Sequence, residues 1–300
     1  MADNLEGNEA IHLLTDTPED CRQLQQAFAN IDRIEVHYSD QLWADSNNPM
    51  RRYPGIVRLR AGHPCWRKLT DPMLLARDGD EVAVIDPDVY FLRRFSFETV
   101  GDGSLRLMWQ RANCLLPYAV VEAAFAKGLA LADHVDIGVA QYRAPLDLEW
   151  LDWAVNTLGD LPTSVMHVEA VLWSCLAMHM GGGYLEPIRW HCWTNTQWKR
   201  IRQKLGATPT QMLASENFGH NIAFHAGGPA KHWLAAPGAE EILRRSASVS
   251  LGKAPPRKPV QPFVPFTIEK FEWLKKRSYY LDSIGYYKLM GSRPPSAIGI

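Results

Sequence analysis

The opening forty residues constrain the fold most. Ile11–Thr15 (IHLLT) is a short apolar run, and Asp16-Thr17-Pro18 directly after it is a helix start. A capping side chain followed by proline in the first turn suits a helix N-terminus, where proline's missing N–H costs nothing. Cys21, Leu24 and Phe28 then recur at helical spacing over residues 19–29, and Ile34–Tyr38 (IEVHY) alternates and is β-branched, as a strand should be. Residues 66–76 can form a further helix, ended by Gly79-Asp80, before Glu81–Ile85 (EVAVI) enters another strand. Strand, helix and strand in this order predict a βαβ-like arrangement, a parallel sheet with helices packed on it.

Later segments continue the alternation. Residues 136–142 (DIGVAQY) are predicted as a strand and Leu148–Leu158 as a helix. Residues 168–178 (VEAVLWSCLAM) are apolar nearly all round, which predicts a buried helix. Gly181-Gly182-Gly183 breaks the chain, and residues 221–225 (NIAFH) form a short strand ending at His225. Near residue 250 the composition shifts. Residues 253–265 hold five prolines, a linker or strap, and the segment 253–294 carries nine Lys/Arg against three acids. The expected organisation is therefore an α/β domain over 1–250, then a Pro-rich strap and basic helical tail over 251–300.

Composition excludes several classes. With 32 Lys+Arg against 33 Asp+Glu the net charge is −1, so no overall basic field draws the chain to nucleic acid. Eleven Trp, ten Tyr and ten Phe argue against disorder. No apolar run approaches the roughly 18–20 residues of a membrane span. The first ten residues, MADNLEGNEA, lack the charged-then-apolar layout of a signal peptide. Five scattered cysteines without CxxC or Cys/His spacing suggest reduced, mostly buried thiols and a cytoplasmic protein.

The sharpest chemical signal is Asp86 and Asp88, in VAVIDPDVYF, directly after an apolar strand. Ligand sites in open α/β sheets lie beyond the carboxyl ends of strands. Two carboxylates one residue apart can reach one hard divalent cation, and desolvating them together is unfavourable without one. A solvated turn is the plain alternative, but Val89-Tyr90-Phe91-Leu92 continues in strand-like fashion.

Residues 79–95 (GDEVAVIDPDVYFLRRF) resemble the D-x-D region of GT-A glycosyltransferases. HAGGPAKHW, residues 225–233, is similar to the H-x-x-G-x-x-K-P-W element of the family that contains glycogenin and the bacterial lipopolysaccharide galactosyl- and glucosyltransferases. His225, Gly228, Lys231 and Trp233 fall on that pattern, His232 replaces its proline, and His225 follows Asp88 by 137 residues, also similar to the family's layout. The resemblance covers roughly residues 10–240. It implies a GT-A type, Rossmann-like mixed sheet flanked by helices, with a C-terminal helical extension. The implied function is a metal-dependent transfer of a hexose from a nucleotide sugar, UDP-linked, with retention, to a carbohydrate, lipid-linked glycan or protein.

Within that resemblance Asp86, Asp88 and His225 would hold Mn²⁺ or Mg²⁺, Asp86 contacting the donor ribose as an alternative. Gly227 and Gly228 would let backbone N–H groups approach the diphosphate, with Lys231 a point charge on the leaving oxygens. Lys68, or Arg67 beside it, would contact the nucleotide; a solvated helix face or a salt bridge is the alternative. Thr15 and Asp16 would lie near the base and ribose, although only 70 residues separate Asp16 from Asp86, fewer than in the family. Asp136, in VDIGVAQY, would touch donor sugar hydroxyls where the family carries Asn. Glu169 would stand beside the reacting sugar, with His167 as an alternative acid/base and a capping or partly exposed role as the plain reading.

Trp190, Trp193 and Trp198 would be an acceptor platform or, more simply, packing aromatics. The tail FEWLKKRSYYLDSIGYYKLM would lie on the inner face of an anionic membrane, or pack as a terminal helix or dimer contact. Two other classes fit the same acids: a metal-dependent nucleotidyltransferase or phosphohydrolase, and a non-catalytic GT-A-like binding protein.

Overall fold

Strand Val135–Arg143, nine residues long, is the spine of the molecule. The computed structural model describes residues 1–111, 114–228, 230–248 and 257–298. Its strands are β1 (Ile11–Thr15), β2 (Ile34–Tyr38), β3 (Glu81–Ile85), β4 (Val89–Phe91), β5 (Leu105–Trp109), β6 (Leu131–Ala132), β7 (Val135–Arg143), β8 (Gly182–Tyr184), β9 (Trp190–Cys192), β10 (Ala223–His225), β11 (Gln261–Pro262) and β12 (Pro265–Phe266). Five of them form the main sheet in the order β11-β8-β5-β7-β3. β7 runs antiparallel to both β3 and β5, and β5 runs parallel to β8. A second sheet, β4-β10-β9, holds β10 antiparallel to β4 and parallel to β9, and β1 pairs with β2 in parallel. The architecture is mixed α/β, a multi-strand mixed sheet flanked by helices.

Thr17 caps the first helix as its sequence requires: its side chain accepts from the Asp20 N–H, and Pro18 opens the helix Pro18–Ala27. The expected parallel sheet is confined to β1–β2 and the β5–β8 and β9–β10 pairs. β3 instead lies antiparallel on β7, Ile85 opposite Val139, because strand identity is local whereas the choice of partner depends on residues far along the chain. The helix expected over 66–76 is replaced by two 3₁₀ segments, Pro64–Leu69 and Asp71–Leu74. Pro72 lacks an N–H and its ring would clash with the carbonyl four residues earlier, so no α-helix can run through. The strand expected over 221–225 narrows to β10.

Helix Val168–Met180 is buried continuously from Val168 to Ala177, as its all-round apolar pattern requires. Its one hydroxyl in that stretch, Ser174, donates to the Ala132 carbonyl at 2.8 Å. The expected boundary near residue 250 and the first part of the strap, residues 249–256, lie outside the described residues. Beyond them the chain adds β11 to β8 and β12 to β6, and buries Phe266 and Phe271 in the main core, so the tail is built into the domain. Helix Ile268–Ser283 follows. No described helix is long and apolar enough to cross a membrane.

Candidate metal centre

β3 belongs to the main sheet and β4 to the three-stranded one, and the three residues between them, 86–88, carry both aspartates. The Asp86 N–H donates to the Gly138 carbonyl at 2.9 Å, tying that link to β7. On the other side His225 of β10 lies opposite both Val89 and Cys192, and the Ala226 N–H donates to the Asp88 carbonyl. Register alone thus delivers an imidazole from β10 to the acids after β3.

His225 Nε2 stands 3.3 Å from Asp88 Oδ1 and 3.9 Å from Asp86 Oδ2. One ligand atom from each of the three lies within 4.8 Å of the others. Adjacent ligands around an octahedral ion with bonds near 2.0–2.1 Å are about 3 Å apart, so a small contraction would close the set on Mn²⁺ or Mg²⁺. His225 Nδ1 is 2.7 Å from Asp136 Oδ1. An Nδ1–H donated to that carboxylate leaves Nε2 as the metal-facing lone pair, the usual support of a ligating histidine. The donor set fits a hard-to-borderline divalent ion.

Asp136 therefore has a different place from the one its sequence position implies. It is only 5% exposed and faces the imidazole, not an open sugar subsite; its other oxygen accepts from the Cys192 thiol at 3.2 Å. Neither Cys192 nor the Asp136–His225 bond is legible in the sequence, because strands far apart in the chain make the contact. Gly138 was equally hidden. A Cβ there would sit 2.5 Å from His225 Cγ and Nδ1, so the ring packs directly on bare backbone. Gly138→Ala is expected to cost roughly 1–3 kcal/mol of stability by overpacking and to displace the ring, measured by urea unfolding and by Mn²⁺ titration of the folded variant.

Opposing charges crowd this centre. Burial alone would lower the His225 pKa, but Asp136 above all, then Asp88, raises it well above the ordinary imidazole value. Asp88 is half-buried, which would raise its pKa, yet His225 and, further off, Lys231 hold it below the usual carboxylate range. Lys231 lies on the short helix Ala230–Trp233, and Gly228 before it has φ +59°, a conformation that favours glycine. Pro229, between them in sequence, lies outside the described residues.

Lys68 sits on the far side of Asp86. Its Nζ is 2.6 Å from Asp86 Oδ1 and 2.8 Å from Glu169 Oε1. Glu169 is 1% exposed, and burial pushes its carboxyl up to about 8 even though Lys68 pulls the other way. Burial likewise raises Asp86 against the pull of Lys68. Burial opposes the charge on Lys68, yet Glu169 and Asp86 together raise its pKa. One ammonium thus serves two carboxylates. As a group standing openly beside a reacting sugar, or as an exposed cap, Glu169 is not placed; it is a buried partner of Lys68. Nor does Lys68 present a free ammonium to a nucleotide.

Thr15 is buried and its hydroxyl donates to the His37 and Thr17 carbonyls, so it faces backbone rather than a base. Asp16 is exposed and pairs with Arg67 at 2.9 Å, joining the end of β1 to the 3₁₀ segment that carries Lys68. Arg60, gripping Asp71 in a bidentate pair and Asp40 with the same guanidinium, anchors the start of the following 3₁₀ segment Asp71–Leu74. His167 is half-buried at the start of helix Val168–Met180, and its Nδ1 has no hydrogen-bond partner among the described residues. Trp190 and Trp193 are core residues, Trp193 edge-on to Trp233, and only Trp198 is exposed. The three therefore form no common platform.

No protein-family model matches the chain, and neither a curated protein nor a solved structure does.

Proposed function

We propose that this protein is a metal-dependent glycosyltransferase of GT-A type, moving a hexose from a UDP-linked sugar to an acceptor. The observation that carries this reading is the convergence of Asp86, Asp88 and His225, brought from positions 137 residues apart to within ligand distance of one another. The divalent ion they would hold supplies charge stabilisation for a departing diphosphate. Asp88 and His225 bind it, Asp86 shares its carboxylate between that site and Lys68, and Asp136 fixes the imidazole. Lys231, whose charge acts on Asp88, would add positive charge at the leaving oxygens, where charge develops in the transition state. Lys68 and Glu169 act as a buried charge reservoir that keeps Asp86 in position.

Retention of configuration and the acceptor class, a carbohydrate, a lipid-linked glycan or a protein, follow from the family resemblance. Helix Ile268–Ser283 exposes Trp273, Tyr279 and Tyr280 and carries Lys276 and Arg277. Such a mixture suits peripheral contact with an anionic membrane that presents a lipid-linked acceptor.

Calorimetry with UDP tests the core of this reading. Wild-type protein is expected to bind UDP only with Mn²⁺ present, and Asp88→Ala to lose that binding. Equal, metal-independent binding in both proteins overturns the proposal. Incubation with UDP-hexoses and Mn²⁺ should release UDP; release of inorganic phosphate or pyrophosphate instead would point to nucleotidyl or phosphoryl chemistry.

A further inference from the structure

A second group of metal-type donors lies away from the central aspartates, on the small β1–β2 sheet. In the parallel register His12 stands opposite Glu35 and Leu14 opposite His37. Side chains two apart in a strand share a face, so His12, Glu35 and His37 all project to the same side. His12 Nδ1 is 3.1 Å from His37 Nε2, and each of these nitrogens is 3.5 Å from Glu35 Oε2. The three donor atoms form a nearly equilateral triangle.

That triangle has the size of one face of a coordination tetrahedron. With metal–nitrogen and metal–oxygen bonds near 2.0–2.1 Å, tetrahedral ligands are about 3.3–3.5 Å apart. An ion could touch all three donors with little side-chain movement, leaving its fourth position toward solvent. Two imidazoles and one carboxylate suit Zn²⁺ and its neighbours, whereas Mg²⁺ and Ca²⁺ want oxygen.

The surroundings favour a cation here. Among the described residues no Lys or Arg pairs with Glu35; nearby Arg33 instead bonds the Gly7 carbonyl and pairs with Glu9. The backbone beside the donors is held, with Thr15 Oγ1 donating to the His37 carbonyl at 3.0 Å and Gln25 Nε2 to the Val36 carbonyl at 3.2 Å. Side-chain exposures of 36%, 57% and 21% for His12, Glu35 and His37 leave the face open to an arriving ion. We infer that His12, Glu35 and His37 form a surface site for a four-coordinate transition-metal ion of the Zn²⁺ class. It shares no residue with the Asp86/Asp88/His225 centre and does not rest on the glycosyltransferase reading.

Co²⁺, which shows intense visible bands when four-coordinate, is the probe, and Zn²⁺ the competitor. Full-length Asp88→Ala protein, with the central site impaired, should give those bands and lose them on adding one equivalent of Zn²⁺. Adding His12→Ala or Glu35→Gln to it should weaken Co²⁺ binding by roughly tenfold or more. Both positions are exposed, so metal-free unfolding midpoints should be unchanged. Absence of the bands with Co²⁺ in several-fold excess overturns the inference. So do bands that persist in His12→Ala, or bands lost only with His225→Ala, which would place the ion on the buried His225, Asp136 and Cys192 instead.

Discussion

Lys68→Met will destabilise the protein by roughly 1–2 kcal/mol more at pH 9 than at pH 7, because above about pH 8 it leaves an ionised Glu169, beside Asp86, without the shared ammonium. Glu169 has almost no solvent to fall back on, being 1% exposed. Its escape is to take up a proton. With the folded carboxyl held up at about 8 it is already largely protonated at pH 7, and keeping that proton at pH 9 costs about 1.4 kcal/mol, which bounds its share of the loss. The Glu169 part of the deficit should therefore be small at pH 7 and grow as the pH rises through about 8, and Glu169→Gln in the same chain should remove that growth. Urea unfolding of the two single variants and the double variant measures both effects. A deficit that is independent of pH, or one that Glu169→Gln fails to relieve, would mean that Lys68 acts through something other than the charge balance.

The same pair sets a pH dependence in the unmodified protein. Burial holds the folded Glu169 carboxyl up at about 8 against an ordinary 4.5. A carboxyl with a raised folded pKa binds its proton more tightly when folded. Its contribution to stability is fully present below about 4.5 and is lost as the pH rises through about 8. Glu169→Gln keeps a neutral side chain at every pH, so the difference in stability between it and wild type should widen in its favour across that window.

Asp136→Ala is expected to weaken Mn²⁺ binding by roughly 10–100-fold while Asp86, Asp88 and His225 all remain. The 2.7 Å bond to Nδ1 selects which imidazole nitrogen is free and fixes the plane of the ring. Alanine removes both constraints and takes away the carboxylate that accepts from the Cys192 thiol, which keeps its longer contact to the Trp193 carbonyl. Asp136→Asn is the control: its carbonyl oxygen can still accept from Nδ1–H, so most of the affinity should return. Mn²⁺ affinity measured with UDP present, in variants shown to be folded by their unfolding transitions, separates this positioning role from simple damage. An Asp136→Ala protein with wild-type Mn²⁺ affinity would remove Asp136 from the centre.

Local features of the chain were legible to different degrees. Strands β1, β2 and β3 and helix Leu148–Leu158 follow directly from alternation, spacing and capping residues, because those signals act over a few residues. Pro72 was equally visible, and it is what divides the segment 66–76, although its effect there was not part of the expected helix. Asp86, Asp88 and His225 stood out because acids and an imidazole at strand ends are chemically unusual, and they do come together. Other residues take their meaning from a partner: Asp136 from His225, Glu169 and Lys68 from each other, Thr15 from the His37 carbonyl.

Composition and periodicity by themselves determined an α/β chain, its first strands and helices, and an acid pair at the end of β3. Tertiary structure alone decided that β7 lies between β3 and β5, that β10 carries His225 to the acids, and that one lysine is shared by two carboxylates. The division has a physical cause. Backbone preference and side-chain alternation are properties of neighbouring residues, whereas pairing, burial and charge compensation belong to groups that meet only after the chain has closed on itself.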